Sequence, residues 1–384
     1  MKTLKLLFAV GALLMSACAS AAVQVPVGAL YTQGNHIYAN GRIWMGRGAN
    51  MFDVRSNGAC YDKWYKHDPT YEERVGHVKK LVDTLVDDWH ANFIRLTLET
   101  HRGDYQYSVV NDSNYLRSIV AIVDYIGTKR GVQVIVTPWL DPSKNLLENM
   151  PNEALGILSI DPLLLPAGEV NQGGSAERAP YYTSDVLSKL VRALWTRKHV
   201  VWGLGNEPTN GGNATMDNQV WHQHNNLVRI IRDEESALGS FPHVISVPGT
   251  RGWARDVNYY VKNPITAGRG INIAYEAHLY NAAADFPYLV TTPAKTLPLV
   301  IGEFGPTSGI ATIADATKLM ALAESLQIPF AGWTFSGKSP GWNMISDSNT
   351  KCDFTYADGI VPTPDWGVAV RNFLLSHADS NLTP

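Results

Sequence analysis

Two glutamates close apolar segments in a pattern that suits acid–base and nucleophilic chemistry. Glu207 follows the run VVWGLGN (200–206), and Glu303 follows LVIG (299–302). Each run is typical of a buried strand, where a carboxylate has no part in packing. A pair of carboxylates can cleave a glycosidic bond, because one protonates the leaving oxygen while the other attacks the anomeric carbon or activates water. The pair predicts glycoside hydrolysis, provided that the fold brings the two strand ends together.

Other polar and aromatic side chains end apolar segments in the same way. They are Arg95, Trp139, Asn206, His278, Tyr280 and Trp333. Taken singly, each has an ordinary structural explanation, since an arginine can pair with a loop acid and a lone tryptophan is usually part of a core. Their recurrence at one segment end after another favours a shared site over unrelated structural roles.

The elements that must position these residues alternate between strand and helix. A hairpin is predicted over 36–44, with a tight turn at Asn40-Gly41. Strands are then predicted at 45–51, 91–99, 132–140, 200–205, 243–248, 271–277, 298–303 and 328–335. Helices are predicted at 71–90, 114–131 (ending on Gly131), 183–198, 218–236, 312–326 and 364–375, with weaker ones near 253–261 and 283–295.

Eight strand–helix units predict a closed (β/α)8 TIM barrel. A doubly wound sheet usually has fewer strands and a glycine-rich first turn, and GRGAN (46–50) lacks the spacing of that fingerprint. Active sites of such barrels lie at the carboxyl-terminal ends of the strands, so Glu207 and Glu303 are expected to face each other across the barrel mouth. Residues 141–181 are too many for a simple connection and predict a long loop after strand three.

The amino-acid composition limits the classes of partner that the protein is expected to bind. The chain has 384 residues, 45% of them hydrophobic, and a formal net charge of −3, which provides no electrostatic footprint for nucleic acid or an anionic membrane. Its 11 tryptophans and 17 tyrosines suit packing or a ligand with flat apolar faces. We expect a monomer that acts on a polysaccharide or oligosaccharide and needs neither a metal nor another cofactor.

The first 21 residues have the layout of a secretory signal, with Lys2, Lys5, an apolar run and then small residues. Two processing sites compete. Residues 19–21 form an A-x-A cleavage site, whereas residues 15–18 resemble a lipobox whose Cys18 would be acylated. The expected location is secreted or periplasmic, or the outer membrane as a lipoprotein held only through Cys18. Residues 22–384 are then predicted to form a single catalytic domain.

Four motifs resemble a known family. GNEP on strand four, the H-x-Y of YEAHLY on strand six, GEFG on strand seven and the tryptophan that ends strand eight are similar to the retaining (β/α)8 glycosidases of clan GH-A. Within that clan the chain resembles glycoside hydrolase family five, the cellulase family, whose amino-terminal hairpin and GRGAN-like first strand are also present. The resemblance covers essentially all of the mature chain.

The resemblance implies a role for each site residue. Glu207 would be the acid/base, Glu303 the nucleophile, and Asn206 the partner of the sugar 2-hydroxyl. Arg95 and Tyr280 would orient Glu303 and hold it ionised, His278 would form a hydrogen bond near the acid/base, and Trp333 would form the floor of the −1 subsite. Physically, a cation within reach of Glu303 lowers the pKa of that carboxyl group.

The expected activity is that of a retaining endo-β-1,4-glucanase. A β-mannanase, or another β-glycanase that includes exo-acting enzymes, is the alternative within the same fold, and an exported carbohydrate-binding protein without turnover is the alternative outside the enzymes. Substrate choice is open because Leu140 stands where many cellulases of the family have a histidine, and because the loop 141–181 could wall one end of the cleft.

Several residues receive weaker interpretations. Glu276 is predicted to be a structural carboxylate in the barrel interior, and the pair His222 and His224 to be surface residues rather than metal ligands. Ser308 lacks the G-x-S-x-G context of a serine hydrolase. Cys60 and Cys352 are either paired or free. The tryptophans with a choice between packing and sugar subsites are Trp44, Trp64, Trp253 and Trp342.

Overall fold

The computed structural model describes residues 25–54, 70–98, 108–138, 183–208, 214–337, 341–346 and 359–378. Some sequence-based predictions lie outside these residues. They are the signal segment with Cys18, the cysteines Cys60 and Cys352, the tryptophans Trp64 and Trp139, Leu140, and the loop 141–181.

A three-stranded antiparallel sheet precedes the barrel, in the order β1 (Leu30–Gln33), β2 (His36–Ala39) and β3 (Arg42–Ile43). The predicted turn between β2 and β3 is confirmed, since Asn40 and Gly41 both have positive φ angles, 50° and 80°, as a type I′ turn requires. Strand β1, which pairs with β2 along its whole length, was not predicted from the sequence.

Eight parallel strands form a closed barrel and confirm the predicted fold. They are β4 (Arg47–Phe52), β5 (Phe93–Leu98), β6 (Gln133–Pro138), β7 (Val200–Gly203), β8 (Ile245–Pro248), β9 (Ile273–Leu279), β10 (Leu299–Phe304) and β11 (Phe330–Gly332). Each strand pairs with its successor in the chain, and β11 pairs with β4 to close the barrel. Strand β11 is shorter than predicted, because the chain leaves the sheet at Trp333.

Helices surround the barrel in the predicted order. They are α1 (Tyr71–Asp83), α2 (Ser113–Gly127), α3 (Thr183–Leu194), α4 (Ala214–Leu238), α5 (Tyr259–Lys262), α6 (Ile313–Leu326) and α7 (Trp366–Ser376). Capping side chains explain where some of them begin: Thr70 and Glu73 form a capping box on α1, and the Asp112 carboxylate accepts hydrogen bonds from two backbone N–H groups of α2. Within the described residues no helix is both long enough and apolar enough to cross a membrane.

Three helix predictions need correction. The helix expected near 253–261 is the single turn α5, because the chain has positive φ angles at Trp253 and Ala254, 64° and 59°. The helix expected near 283–295 is three short turns, Ala283–Asp285, Pro287–Thr291 and Pro293–Lys295, because each proline lacks the N–H that a continuous helix needs. Helix α2 ends at Gly127 rather than at Gly131, which has a φ of 77° and lies in the turn that leads into β6.

The barrel interior is apolar at one end and polar at the other. Its lower layer, at the amino-terminal ends of the strands, consists of Phe93, Ile135, Val201, Val244, Ala274, Val300 and Ala331, and the sheet β1–β3 covers it with Leu30 and Ile37. Side chains two residues further along β5 and β9 point to the same interior. They include Arg95 and Glu276, so the polar cluster of the site begins directly above this apolar layer.

Candidate active site

The seven residues predicted from the sequence all lie at the carboxyl-terminal rim of the barrel. Arg95, His278 and Glu303 belong to β5, β9 and β10, while Asn206, Glu207, Tyr280 and Trp333 follow the last residues of β7, β9 and β11. Hydrogen bonds or ion pairs link the first six of these residues into one network. The ring of Trp333 packs edge-to-face against Phe52, with 5.3 Å between ring centroids.

Glu303 is held at both carboxylate oxygens. Its Oε1 accepts a hydrogen bond from Nη1 of Arg95 at 2.8 Å, and its Oε2 accepts one from the Tyr280 hydroxyl at 2.9 Å. The side chain is buried, 3% exposed. Its orientation is therefore fixed before any substrate arrives.

Gly302 allows this placement of Glu303. A Cβ atom at position 302 would lie 2.3 Å from Oε1 of Glu276, so any side chain there would force the carboxylate or the strand to shift. At the same point the pairing between β10 and β9 shifts register, and Glu303 comes to lie opposite His278. The carboxylate of Glu276, which packs beside position 302, thus explains why the motif GEFG begins with glycine.

Glu207 faces Glu303 from the other side of the mouth. Its side chain is 16% exposed, and its Oε1 lies 3.1 Å from Nδ1 of His278. A carboxylate oxygen of Glu207 and one of Glu303 lie within 4.8 Å of each other. This close approach of the two carboxylates favours the retaining arrangement, with carboxyl groups about 5 to 5.5 Å apart, over the inverting arrangement, at about 6.5 Å or more.

Asn206 is oriented by Arg95. The guanidinium donates through Nη2 to Oδ1 of Asn206 at 3.1 Å, which fixes which end of the amide is the oxygen. Nδ2 of Asn206 is buried and has no hydrogen-bond partner within the described residues. A buried amide donor left open in this way is available to an oxygen atom of a substrate.

Sequence reasoning missed one residue of the network, Asn50. Its Nδ2 donates to the carbonyl oxygens of Gly302 at 2.8 Å and Ala331 at 3.0 Å, and its Oδ1 accepts from Nη1 of Arg95 at 3.0 Å. Asn50 therefore joins β4 to the strands that carry Glu303 and Trp333. The available signal was an amide inside the otherwise apolar stretch ANM of a buried strand.

Glu276 lies beneath the site in the barrel interior, as predicted. One of its oxygens lies 2.8 Å from Nε of Arg95 and 2.9 Å from Nε2 of His278, and the other accepts from the Ser246 hydroxyl at 2.5 Å. His278 thus bridges Glu276 below to Glu207 above. The carboxylate contacts side chains that touch the two facing glutamates, not the glutamates themselves.

Electrostatics in this buried cluster depend on its two cations. Burial alone would lower the pKa of His278, but the carboxylates of Glu303, Glu207 and Glu276 raise it to about 10. Burial would raise the pKa of Glu276, yet Arg95 and His278 hold it at about 2. Both groups are therefore charged near neutral pH.

The pKa of Glu303 is raised, which differs from the sequence-based expectation. Burial raises it most, His278 and Arg95 oppose this, and the carboxylate of Glu207 adds to it. Arg95 acts in the expected direction but is outweighed by desolvation. The two cations of the cluster, Arg95 and His278, thus lie among three carboxylates, those of Glu207, Glu276 and Glu303.

The oxygens of Glu207 and Glu303 and Nδ1 of His278 are donor types found in metal centres, and they lie within 4.8 Å of one another. Their environment does not suit a cation, however. The imidazole is protonated by the pKa shift described above, and Arg95 already supplies positive charge to Glu303. These side chains therefore suit proton transfer better than the binding of a metal ion.

The weaker candidates fall at different places. Trp342 lies beside the site, with its ring 6.4 Å from that of Tyr280. Trp44 lies at the opposite end of the barrel, packed against Phe93, so of its two interpretations the structure supports packing. His222 is exposed, but His224 is buried, contrary to prediction; its Nδ1 lies 2.8 Å from the Tyr260 hydroxyl, and burial lowers its pKa to about 3.

A closed parallel barrel with two facing glutamates at its carboxyl-terminal rim is the architecture of a (β/α)8 glycosidase. Comparison with known families agrees. Residues 48–339 match the cellulase family, glycosyl hydrolase family 5, and the chain belongs to that family.

Characterised relatives include two kinds of enzyme. Endoglucanase CelA of Streptomyces lividans is 25% identical over 277 residues, which is 68% of this chain and 49% of that protein. A mannan endo-1,4-beta-mannosidase of the same organism is 26% identical over 179 residues, 46% of this chain and 45% of that one. The chain spans about half the length of the curated relatives that it matches.

Solved structures share the fold. The catalytic domain of Thermobifida fusca endoglucanase Cel5A, solved with cellotetraose, superposes with a TM-score of 0.63 at 18% identity, covering 91% of this chain and 98% of that one. A beta-mannanase from Streptomyces thermolilacinus, solved with mannohexaose, gives a TM-score of 0.53 at 19% identity, covering 82% and 87%.

Proposed function

We propose that this protein is a retaining endo-β-1,4-glucanase that cleaves cellulose or related soluble β-glucans. The observation that carries the proposal is the separation of at most 4.8 Å between carboxylate oxygens of Glu207 and Glu303. Membership of the cellulase family and the endoglucanases among the relatives support it. The reaction is a double displacement.

In the first step, Glu303 attacks the anomeric carbon while Glu207 gives its proton to the departing glycosidic oxygen. The bond from the sugar to that oxygen breaks as the bond to the Glu303 carboxylate forms. Glu303 is suited to attack because Arg95 and Tyr280 hold its two oxygens. Glu207 is suited to proton transfer because it is the more exposed of the pair, 16% against 3%, and lies on the side of the mouth opposite Glu303.

In the second step, a water molecule attacks the glycosyl-enzyme ester and Glu207 takes a proton from that water. The free carboxylate of Glu303 and a sugar with its original anomeric configuration result. In this scheme the open amide donor of Asn206 binds the sugar 2-hydroxyl, and the indole of Trp333 supports the apolar face of the ring. Both contacts act on the sugar that carries the developing positive charge.

Replacing the nucleophile tests the mechanism and separates an enzyme from a binding protein. In Glu303→Gln, hydrolysis should fall by a factor on the order of 10⁴ or more, with binding of soluble oligosaccharide retained. Glu234→Gln, in a surface ion pair with Arg192, is the matched control and should keep full activity. An unchanged hydrolysis rate in Glu303→Gln would overturn the mechanism, and no turnover by wild-type protein on any β-glycan would favour a pure binding protein.

A β-mannanase is the second candidate, because mannan endo-1,4-beta-mannosidases of Cellvibrio japonicus and Streptomyces lividans are also relatives. The two are separated by assays on carboxymethyl cellulose, mixed-linkage β-glucan, xyloglucan and mannan, following reducing ends and viscosity together. A rapid fall in viscosity on a glucan supports the endo-glucanase. Activity confined to mannan assigns a mannanase, and slow release of short sugars without loss of viscosity assigns an exo-acting enzyme.

Export is proposed from residues 1–21, with two outcomes that depend on processing. Cleavage after the A-x-A site releases a secreted or periplasmic enzyme, whereas acylation of Cys18 holds it at the outer membrane. In Cys18→Ala, a membrane-bound protein should appear in the soluble fraction. An unchanged membrane fraction, or a wild-type protein that is already soluble, would exclude the lipid anchor.

A further inference from the structure

A second cavity, of about 510 Å³, lies at the amino-terminal end of the barrel, opposite the rim that carries Glu207 and Glu303. We call it the basal cavity. Its walls are the turn between β2 and β3, the connection from β3 to β4, and the turns that precede β6 and β7. The volume falls within the range of small-molecule binding sites, roughly 300 to 1,000 Å³.

The charged side chains in the described wall of the basal cavity are all positive. Arg42, Arg130 and Lys198 line it, and within the described residues none of the three has a carboxylate partner. Lys198 donates through Nζ to the carbonyl oxygen of Val27 at 2.8 Å, which leaves its charge uncompensated. The described residues contribute no acidic side chain to the wall. A concave surface with several unpaired cations favours an anion.

Two further cations of the wall are already neutralised from outside the cavity. Arg47 pairs with Glu324, and Lys129 pairs with Asp83 and Asp87 at 2.6 and 2.5 Å. The excess charge is therefore confined to Arg42, Arg130 and Lys198. This asymmetry separates the basal cavity from an ordinary solvated surface of mixed charge.

Two polar atoms buried in the wall are also unpartnered within the described residues. Gln133 is 5% exposed; its Nε2 donates to the carbonyl oxygen of Gly28 at 3.0 Å, while its Oε1 accepts no hydrogen bond. Nε1 of Trp44 is buried and donates none. Both residues flank Phe93, Trp44 through an edge-on ring contact at 5.3 Å and Gln133 as its neighbour in the sheet.

An unpartnered donor and an unpartnered acceptor, both buried, each cost free energy unless a ligand or water satisfies them. A hydroxyl group can satisfy both, because it accepts from an indole N–H and donates to an amide oxygen. A carboxylate satisfies the unpaired guanidinium and ammonium groups. A ring that carries both hydroxyls and a carboxylate has the polar groups that this wall lacks.

We infer that the basal cavity binds an acidic sugar, a pyranose that carries a carboxylate, independently of the catalytic cleft. The unpaired cations Arg42, Arg130 and Lys198 face the carboxylate, and Trp44 and Gln133 face the hydroxyls. Because this end of the barrel is remote from Glu303, a uronate-bearing polysaccharide could hold the protein while the cleft acts on a neutral chain. The inference does not depend on which neutral β-glycan is cleaved.

The test uses full-length protein with Glu303→Gln, so that no ligand is hydrolysed, and follows binding by ligand-observed NMR and the fluorescence of tryptophan. The ligands are D-glucuronate, D-glucose and inorganic phosphate. We expect glucuronate to bind at least about tenfold more tightly than glucose or phosphate, and each of Arg42→Gln and Arg130→Gln to weaken it about tenfold. Lys262→Gln, which removes an exposed positive charge far from the cavity, should leave the affinity unchanged.

Several outcomes would overturn the inference. Absence of glucuronate binding or equal affinity for glucose would do so, and equal affinity for phosphate would reduce the cavity to a general anion site. Displacement of glucuronate by cellotetraose would place the bound ligand in the catalytic cleft. Arg42 and Arg130 are both exposed, so their variants are expected to fold, and in an active background they should hydrolyse neutral glucans at the wild-type rate. Loss of that activity would contradict the independence of the two sites.

Discussion

Tyr280 and Arg95 donate to different oxygens of Glu303, and they differ in what they contribute. Arg95 brings a charge shared with Glu276 below, whereas Tyr280 brings only a hydroxyl donor at 2.9 Å. That hydroxyl lowers the pKa of Glu303, against the raising effect of burial. Tyr280 is therefore the residue whose removal changes the surroundings of Glu303 without altering the charges of the cluster.

Tyr280→Phe should reduce kcat/KM by about tenfold to hundredfold, the effect of one lost hydrogen bond to a charged group. Since the pKa of Glu303 rises without that donor, the acidic limb of the profile of kcat/KM against pH should move to higher pH. Tyr288→Phe is the matched control, because Tyr288 is 56% exposed and its hydroxyl donates to Asp256, away from Glu303. An acidic limb in the same place as in wild type would mean that Tyr280 does not control ionisation of Glu303.

Glu276 and His278 form the buried ion pair beneath the site. Their pKa shifts set the lower and the upper pH limit of the stability that the pair contributes. The Glu276 carboxylate, with its pKa lowered from 4.5 to about 2, contributes stability above pH 4.5 and loses it as the pH falls towards 2. The His278 imidazolium, with its pKa raised from 6.5 to about 10, contributes stability below pH 6.5 and loses it as the pH rises through 10. Both contributions to stability are complete only between pH 4.5 and pH 6.5.

Glu276→Gln should therefore lower the free energy of unfolding by about 3 to 5 kcal/mol near pH 5.5, because it leaves buried cations without their partner. The difference from wild type should shrink at pH 9.5, where His278 begins to lose its proton in the wild-type protein as well. Urea unfolding at the two pH values measures this. Glu234→Gln should cost less than about 1 kcal/mol at both. A cost for Glu276→Gln that does not change with pH would contradict the ion pair.

The site residues could be predicted because their motifs are local, but their contacts could not. GNEP and GEFG each place a glutamate at the end of a strand, and the barrel topology then brings both to one rim. The links through Asn50 and Glu276 depend on how neighbouring strands are staggered, which no short motif specifies. For the same reason the direction of the pKa shift of Glu303 was predicted wrongly, since it depends on how deeply the carboxyl group is buried.

At the level of secondary structure, apolar runs in the sequence predicted the strands. Single residues, in contrast, determine where the strands and helices end. Prolines at 287 and 293 break the helix expected after β9, and the exit of the chain at Trp333 shortens β11. The barrel tolerates both, because it needs only parallel pairing between neighbouring strands. Strand β10 tolerates less change, since it carries Glu303 and, immediately before it, Gly302.

Gly302→Ala tests this low tolerance of β10. The added Cβ would lie 2.3 Å from Oε1 of Glu276, so the carboxylate or the strand must shift. We expect a loss of about 1 to 3 kcal/mol in the free energy of unfolding, together with reduced kcat, because Glu276 also holds Arg95 and His278. Gly76→Ala is the matched control: it lies in α1 with open space around its Cβ and should be neutral or stabilising by up to about 1 kcal/mol. Wild-type stability and kcat in Gly302→Ala would show that the strand adjusts at no cost.

At the scale of the whole molecule, the barrel separates a polar rim from an apolar base. The alternation of strands and helices predicted the barrel itself, but it gave no indication of what lies at the base. That end is built by residues from the turns that precede β6 and β7 and from the sheet β1–β3, which come together only once the barrel closes. The sequence left Trp44 open between packing and a sugar subsite for this reason, because its position before β4 does not specify which opening its ring covers.

The separation of the two ends makes a prediction about Ile37, which is 2% exposed and packs beneath the apolar layer of the barrel. Ile37→Ala should lower the free energy of unfolding by about 2 to 4 kcal/mol through the cavity it leaves, with a lower Tm. Well below that Tm, kcat should stay at the wild-type value, because the described partners of Glu303 are Arg95, Tyr280 and His278, none of which belongs to the sheet β1–β3. Ile310→Ala, at a position 59% exposed, should change stability by no more than about 0.5 kcal/mol. A fall in kcat for fully folded Ile37→Ala, in proportion to its loss of stability, would show instead that packing at the base controls the geometry of the rim.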